Sequence, residues 1–314
     1  MAHKTDRFYS SKWGVFTHYL ANINNCKTGK DWAKMTESFN VKKVAEQLRE
    51  VGAKYYFITL QQGDRFMLAP NSTYDRITGY KPGEACSKRD IVADLLEELD
   101  KYGIDLYLYY TGDGPHFDKQ AGEAMGLYDP CDTLYGVHYP VPVSETFVKN
   151  WTAVLEEYAV RYGSKVKGWW IDGMYDYFGY NEEYINYYKR AIRKGNPDAI
   201  IAFNNGVKGA SEQNWGNGDF ITGESIDFAH IPVGRFRMGA QNHKLITLGF
   251  NPNSENPDNM CGWRAKGTIC SKEFLRAYVS KANYNGAVIT LDIWIDADGS
   301  FDPQQMEALK YLNK

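Results

Sequence analysis

Short apolar runs alternate with amphipathic helical stretches along almost the whole chain. WGVFTH at 13–18 reads as a strand. SFNVKKVAEQLREVGAK follows with helical spacing: Asn40 is placed to cap it, Val41, Val44, Ala45, Leu48 and Val51 share one face, and Gly52 ends it. The same alternation returns with strands KYYFITL, DLYLYYT, KGWWID and AIIAFN. Between them lie the helical stretches KRDIVADLLEELDKYG, SETFVKNWTAVLEEYAVRYG (capped by Ser144) and NEEYINYYKRAIRKGNP. GDFITGE and KLITLGF are the sixth and seventh strands, with no clear long helix between them, and AVITLD is the eighth, preceded by SKEFLRAYVSKANYNG and followed by DPQQMEALKYL. Eight strands interleaved with helices predict an α/β chain folded as a (β/α)8 TIM barrel, a single domain over residues 1–314. The competing doubly wound sheet requires a glycine-rich phosphate loop after its first strand, where this chain has YLANINN.

Composition removes several function classes. A net charge of -3 disfavours a nucleic-acid partner. No apolar run is long enough to span a membrane, and the opening MAHKTDRFYSSKWG has no apolar signal-peptide core. A cytoplasmic protein and a mature exported form both fit. Five cysteines, none in a CxxC arrangement, predict reduced thiols. Six histidines with no HxH or HExxH spacing give no metal motif, so no metal and no cofactor is expected. GxSxG is absent as well. The high aromatic share, 15%, serves either core filling or stacking on sugar faces.

Chemistry in such a barrel gathers where strands end. The predicted strand ends carry His18, Gln61 and Gln62, Tyr110 and Thr111, Asp172, Asn204 and Asn205, Glu224, Thr247 and Asp292. Strand ends meet solvent, which accounts for Thr247 and Asn205. It accounts less well for Asp172, a carboxylate between Trp169-Trp170-Ile171 and Gly173. Asp172 and Glu224 would project into one barrel mouth, and paired carboxylates are the apparatus of glycoside hydrolysis: one ionised, the other holding a proton for the leaving oxygen.

Several segments, in order, resemble the α-L-fucosidase family of retaining glycoside hydrolases (family 29). KWGVFTHYL is similar to the family's first strand, FNVKKVAEQLREVGAKYYFITL to its second helix-and-strand unit, SKRDIVADLLEEL to its P-K-R-D-I-V segment and YGIDLYLYYT to its third strand. GWWIDG resembles the W-F-D-G that carries the nucleophile, which implies that role for Asp172. GDFITGE resembles a segment carrying the acid/base in part of the family, which implies it for Glu224, with Glu212 as the alternative. NGAVITLDIWIDADG is similar to the closing stretch. The chain departs from the family at Gln61-Gln62, where a His-His pair holds sugar hydroxyls, at His18-Tyr19-Leu20 in place of His-Trp-Gly, and at Asp292 in place of asparagine. The family's frequent C-terminal β-sandwich has no counterpart here.

The resemblance implies a retaining, exo-acting hydrolase that cleaves a terminal α-linked fucose or related sugar from an oligosaccharide or glycoconjugate. His18, Gln61, Gln62, Tyr110, Asn204, Trp263 and Asp292 are the expected substrate-binding residues. Trp263 stacks on a sugar or fills the core; Asp292 binds a hydroxyl or pairs with a cation such as Arg264; Asp176 is a loop residue beyond the fourth strand. Two rivals follow from the altered Gln61-Gln62 shell: a non-catalytic carbohydrate-binding barrel, and a glycosidase for another sugar such as an α-galactoside.

Overall fold

The computed structural model describes residues 3–127, 142–175, 178–206, 215–253 and 262–314. Eight strands form one parallel sheet: β1 (Trp13–Thr17), β2 (Tyr55–Gln61), β3 (Asp105–Thr111), β4 (Val166–Asp172), β5 (Ile200–Phe203), β6 (Glu224–Ser225), β7 (His243–Thr247) and β8 (Val288–Ile293). Their order is β5-β4-β3-β2-β1-β8-β7-β6, so the first strand pairs with the last and the sheet curls round. The curl brings the outer strands together at a seam between β5 and β6. There the Asp219 N–H donates to Ile201 O at 2.7 Å and the Ile201 N–H donates to the Asp219 carboxylate at 2.9 Å; on the β7 side the Ile221 N–H donates to Gln241 O at 2.9 Å.

Side chains alternate across the strands, as a period of two requires. Leu106, Leu108, Tyr110, Trp169 and Ile171 point outward and pack beneath the helices. Phe16, Phe57, Tyr107, Tyr109, Trp170, Ala202 and Leu245 fill the interior. Phe8, from the helix Asp6–Ser11, closes the floor, its ring 5.0–5.5 Å from those of Tyr55, Tyr107, Phe220 and His243. β4 can lie close to β5 because residue 168 is glycine: a Cβ there would come within 2.5 Å of Ile200 O.

The expected strand–helix alternation holds, and the predicted caps at Asn40 and Ser144 accept from the Lys43 and Phe147 N–H groups at 3.0 Å. The sixth strand differs. Only Glu224–Ser225 forms a regular strand, not the whole of GDFITGE, in which Phe220 makes an isolated bridge to Gln241. Gly223 adopts φ +62°, and a Cβ there would lie 2.1 Å from His243 O; this left-handed turn breaks extended pairing just before Glu224. Between β6 and β7 a short antiparallel ribbon, Phe236–Arg237 with Ala240–Gln241, stands where no long helix was expected. Short helices at Asp6–Ser11, Gly29–Ser38, Ser72–Thr78 and Lys119–Met125 lie outside the eight-fold alternation.

Candidate active site

A cavity of about 530 Å³ opens at the carboxyl ends of the strands. Asp172 ends β4, Asn204 follows β5 and Glu224 begins β6, and all three line it. Asn204 is buried, and its side-chain nitrogen donates to Asp172 Oδ1 at 2.7 Å and to Glu224 Oε2 at 2.5 Å. A single nitrogen at these two lengths puts the bridged oxygens at most about 5 Å apart. The other oxygen of Asp172 accepts a short hydrogen bond from the Tyr109 hydroxyl.

The two carboxyls are driven upward in pKa. For Asp172 burial is the main cause, with the Asp113 charge adding to it; hydrogen bonds from Tyr109, the Gly173 N–H and Asn204 oppose the rise. Glu224 is raised to about 8, first by burial and then by the charge of Asp172, with Asn204 offsetting part. Like charges this close resist double ionisation, so the pair retains a proton at neutral pH. Asp172 keeps the donors that favour an anion. One ionised and one protonated carboxyl is the charge state that acyl- or glycosyl-type displacement uses.

His18, Gln61, Gln62 and Trp263 also line the cleft. The His18 ring meets Tyr109 and Trp263 edge-on at 6.0 and 5.9 Å. Asp292 does not line the cavity; it lies buried behind His18, with Oδ1 2.8 Å from His18 Nδ1, and takes the Arg264 backbone N–H, not its guanidinium, at 3.5 Å. It engages Nδ1 and leaves Nε2 as the ring nitrogen available to the cleft. Tyr110 does not reach the site. It faces outward, stacked on Trp151 at 4.7 Å, and donates to Trp151 O at 3.2 Å. Its neighbour Tyr109 points inward, because β3 registers Tyr109 opposite Trp170 and Thr111 opposite Asp172. Counting by twos back from Asp172 through that register would have found it. Asp64, Asp113 and His116, on the loops after β2 and β3, line the cleft as well, and strand periodicity gives no sign of them. Glu212 and Asp176 lie outside the described residues. Among the described residues no group of three or more His, Cys, Asp or Glu is placed to hold a metal, and no helix is long and apolar enough to cross a membrane.

Solved structures share this fold. An endo-fucoidan hydrolase, MfFcnA4 of glycoside hydrolase family 107, superposes with a TM-score of 0.68 at 13% identity over 99% of this chain; the chain spans about half, 54%, of that protein. An α-L-fucosidase of family 29 from Bacteroides thetaiotaomicron gives 0.64 at 17% identity, covering 99% of this chain and 73% of its own. The α-L-fucosidase AlfC from Lactobacillus casei, solved with α-L-fucose product, gives 0.64 at 16% identity, covering 98% and 96%. No curated protein matches the sequence. The alpha-L-fucosidase family profile matches residues 4–314, nearly the whole chain, so this chain belongs to the alpha-L-fucosidase family.

Proposed function

We propose that the protein is a retaining, exo-acting glycoside hydrolase that releases a terminal α-linked fucose or a closely related sugar. The observation that carries this reading is the carboxyl pair bridged by Asn204. Two carboxyls whose bridged oxygens lie no more than about 5 Å apart fit the short spacing of double displacement, roughly 5–5.5 Å, better than the roughly 6.5–9.5 Å that leaves room for an inverting water.

In this mechanism Asp172 attacks the anomeric carbon while Glu224 gives its proton to the departing glycosidic oxygen. Bonding to sugar removes the charge of Asp172. The largest Coulombic cause of Glu224's raised pKa then disappears, its pKa falls, and it becomes the base that deprotonates the incoming water. Asn204 and Tyr109 hold the nucleophile's two oxygens so that it is aimed before substrate arrives. His18, oriented by Asp292, and Trp263 form the neighbouring wall for the sugar.

The test is hydrolysis of aryl α-L-fucosides, followed by trapping with a 2-deoxy-2-fluoro-fucosyl fluoride and mass spectrometry of the peptides. An adduct on Asp172 supports the reading. Sugar binding with no turnover and no adduct, for fucosides and galactosides alike, replaces it with the non-catalytic carbohydrate-binding barrel.

A further inference from the structure

β2 stands opposite β6 across the curled sheet, four places away in either direction. The loops that follow β2 and β3 form the cleft wall facing Glu224, and they are tied together. The Phe117 N–H donates to Gly63 O at 2.8 Å, and Gln61 Nε2 makes a longer contact, 3.5 Å, with Gly114 O. A general acid at Glu224 places the leaving group on its own side of the cleft, so the opposite wall faces the far hydroxyls of the sugar being transferred.

That wall carries two carboxylates and a buried amide oxygen, alongside His116. Gln61, one of the residues lining the cleft, is 1% exposed; its amide nitrogen is held by Asp64 O at 2.6 Å, and its Oε1 is buried with no hydrogen-bond partner. A buried acceptor in this state gains most from a ligand that brings a donor. Two carboxylates flank it. Asp113 accepts from Thr111, and its Oδ2 lies 3.3 Å from His116 Nδ1. Asp64 accepts the Arg65 N–H at 2.6 Å, but the Arg65 guanidinium is directed away, to Asp118 at 2.7 Å and to Lys27 O. Burial raises the pKa of Asp64, as expected of a carboxyl short of donors. The cleft's arginine, Arg264, donates to Asn22 at 2.9 Å.

We propose that this wall is the subsite that reads the transferred sugar, that Asp113 and His116 hold its hydroxyl groups, and that its acceptors select a sugar rich in hydroxyl or amino donors over one bearing sulfate or carboxylate. The proposal rests on the assignment of Asp172 and Glu224 above, which decides the end of the cleft that receives the sugar. An anionic substituent would meet Asp64 and Asp113, while of the basic groups lining the cleft Arg264 is engaged by Asn22 and His116 lies beside Asp113; like-charge contact in a buried cleft is strongly unfavourable.

The test is calorimetric or ligand-observed NMR titration of the full chain with L-fucose, D-galactose and the monosulfates of each, repeated on Asp113→Asn, His116→Gln and the double variant Asp64→Asn/Asp113→Asn. Thermal melts confirm that each variant is folded; Asp113→Asn keeps the acceptor for Thr111. At least one neutral sugar binds the unaltered protein, with its monosulfates weaker by about tenfold or more. Asp113→Asn weakens the neutral sugar by about tenfold, as loss of a charge-assisted bond requires, and the double variant narrows the gap between neutral and sulfated sugars. Monosulfates binding as well as the neutral sugar, neutral binding unchanged in both Asp113→Asn and His116→Gln, or no neutral sugar bound would each overturn the proposal. Trapping separates the two readings. An Asp172 adduct with unchanged sugar binding in both single variants sinks the wall alone; the expected selectivity without any adduct sinks the hydrolase reading and leaves the wall as a binding site.

Discussion

His18 Nδ1 lies 2.8 Å from Asp292 Oδ1, joining the end of the first strand to the end of the last. The carboxylate is buried and the histidine nearly so, and the contact leaves one ring nitrogen for the cleft. Asp292→Ala releases the ring and strands its nitrogen. The expected result is a rise in KM of about tenfold with a smaller change in kcat, and a stability loss of about 1.5–3 kcal/mol by urea unfolding. Asp292→Asn keeps an acceptor and loses less on both counts.

In the proposed mechanism Glu224 governs the alkaline side of the pH profile. It must be protonated to donate, so kcat/KM falls as pH rises through about 8. Glu224→Gln removes that limb and slows substrates with poor leaving groups by about 10²–10⁴-fold, with good leaving groups affected less. The folded protein holds this proton at pH values where the unfolded chain, with an ordinary carboxyl near 4.5, has released it. Stability therefore declines as pH rises from about 4.5 to about 8, and Glu224→Gln flattens the decline. Urea titrations across that range read the slope.

Tyr109 and Tyr110 are adjacent in sequence and opposite in consequence. Tyr109→Phe deletes a donor to Asp172, so its pKa rises further and the acid limb of kcat/KM shifts upward, with a loss of about ten- to hundredfold. Tyr110→Phe deletes only the contact to Trp151 O; activity stays within about twofold while stability falls by about 1 kcal/mol. Equal effects from the two substitutions would contradict the inward placement of Tyr109.

His243 sits in the barrel interior, where Nδ1 donates to the carbonyls of Ile221 and Thr222 and Nε2 lies 2.6 Å from the Thr290 hydroxyl. Burial lowers its pKa to about 4 from about 6.5. The folded state keeps the ring neutral while the unfolded chain takes up a proton. Stability from this group is complete above about 6.5 and is lost as pH falls toward about 4. His243→Gln removes that part of the acid slope in chemical denaturation.

What the sequence disclosed was local. Asn40 and Ser144 were recognisable as caps because a cap depends on a few neighbouring residues, and the strands of the interior were recognisable from their apolar runs. Asp172 stood out as a carboxylate at the end of such a run. The choice between Tyr109 and Tyr110 was not local: it depends on pairing with β4, some sixty positions away in the chain. Asp113 and His116 belong to a loop without periodicity, and they reach the cleft only because Gly63 and Phe117 bring two loops together. The shortness of β6 follows from a glycine turn pressed against β7, a contact that no run of residues announces.

The two carboxyls of the pair do not stand on equal footing. Asp172 ends a seven-residue strand paired on both sides, whereas Glu224 begins a two-residue strand that, among the described residues, pairs only with β7 and borders the seam. Insertions or register changes near Glu224 disturb few backbone contacts; the same changes near Asp172 would unzip the middle of the sheet. Under the proposed roles the attacking group is anchored by the sheet and the proton donor is not, so substitutions around β6 can alter leaving-group preference without rebuilding the fold.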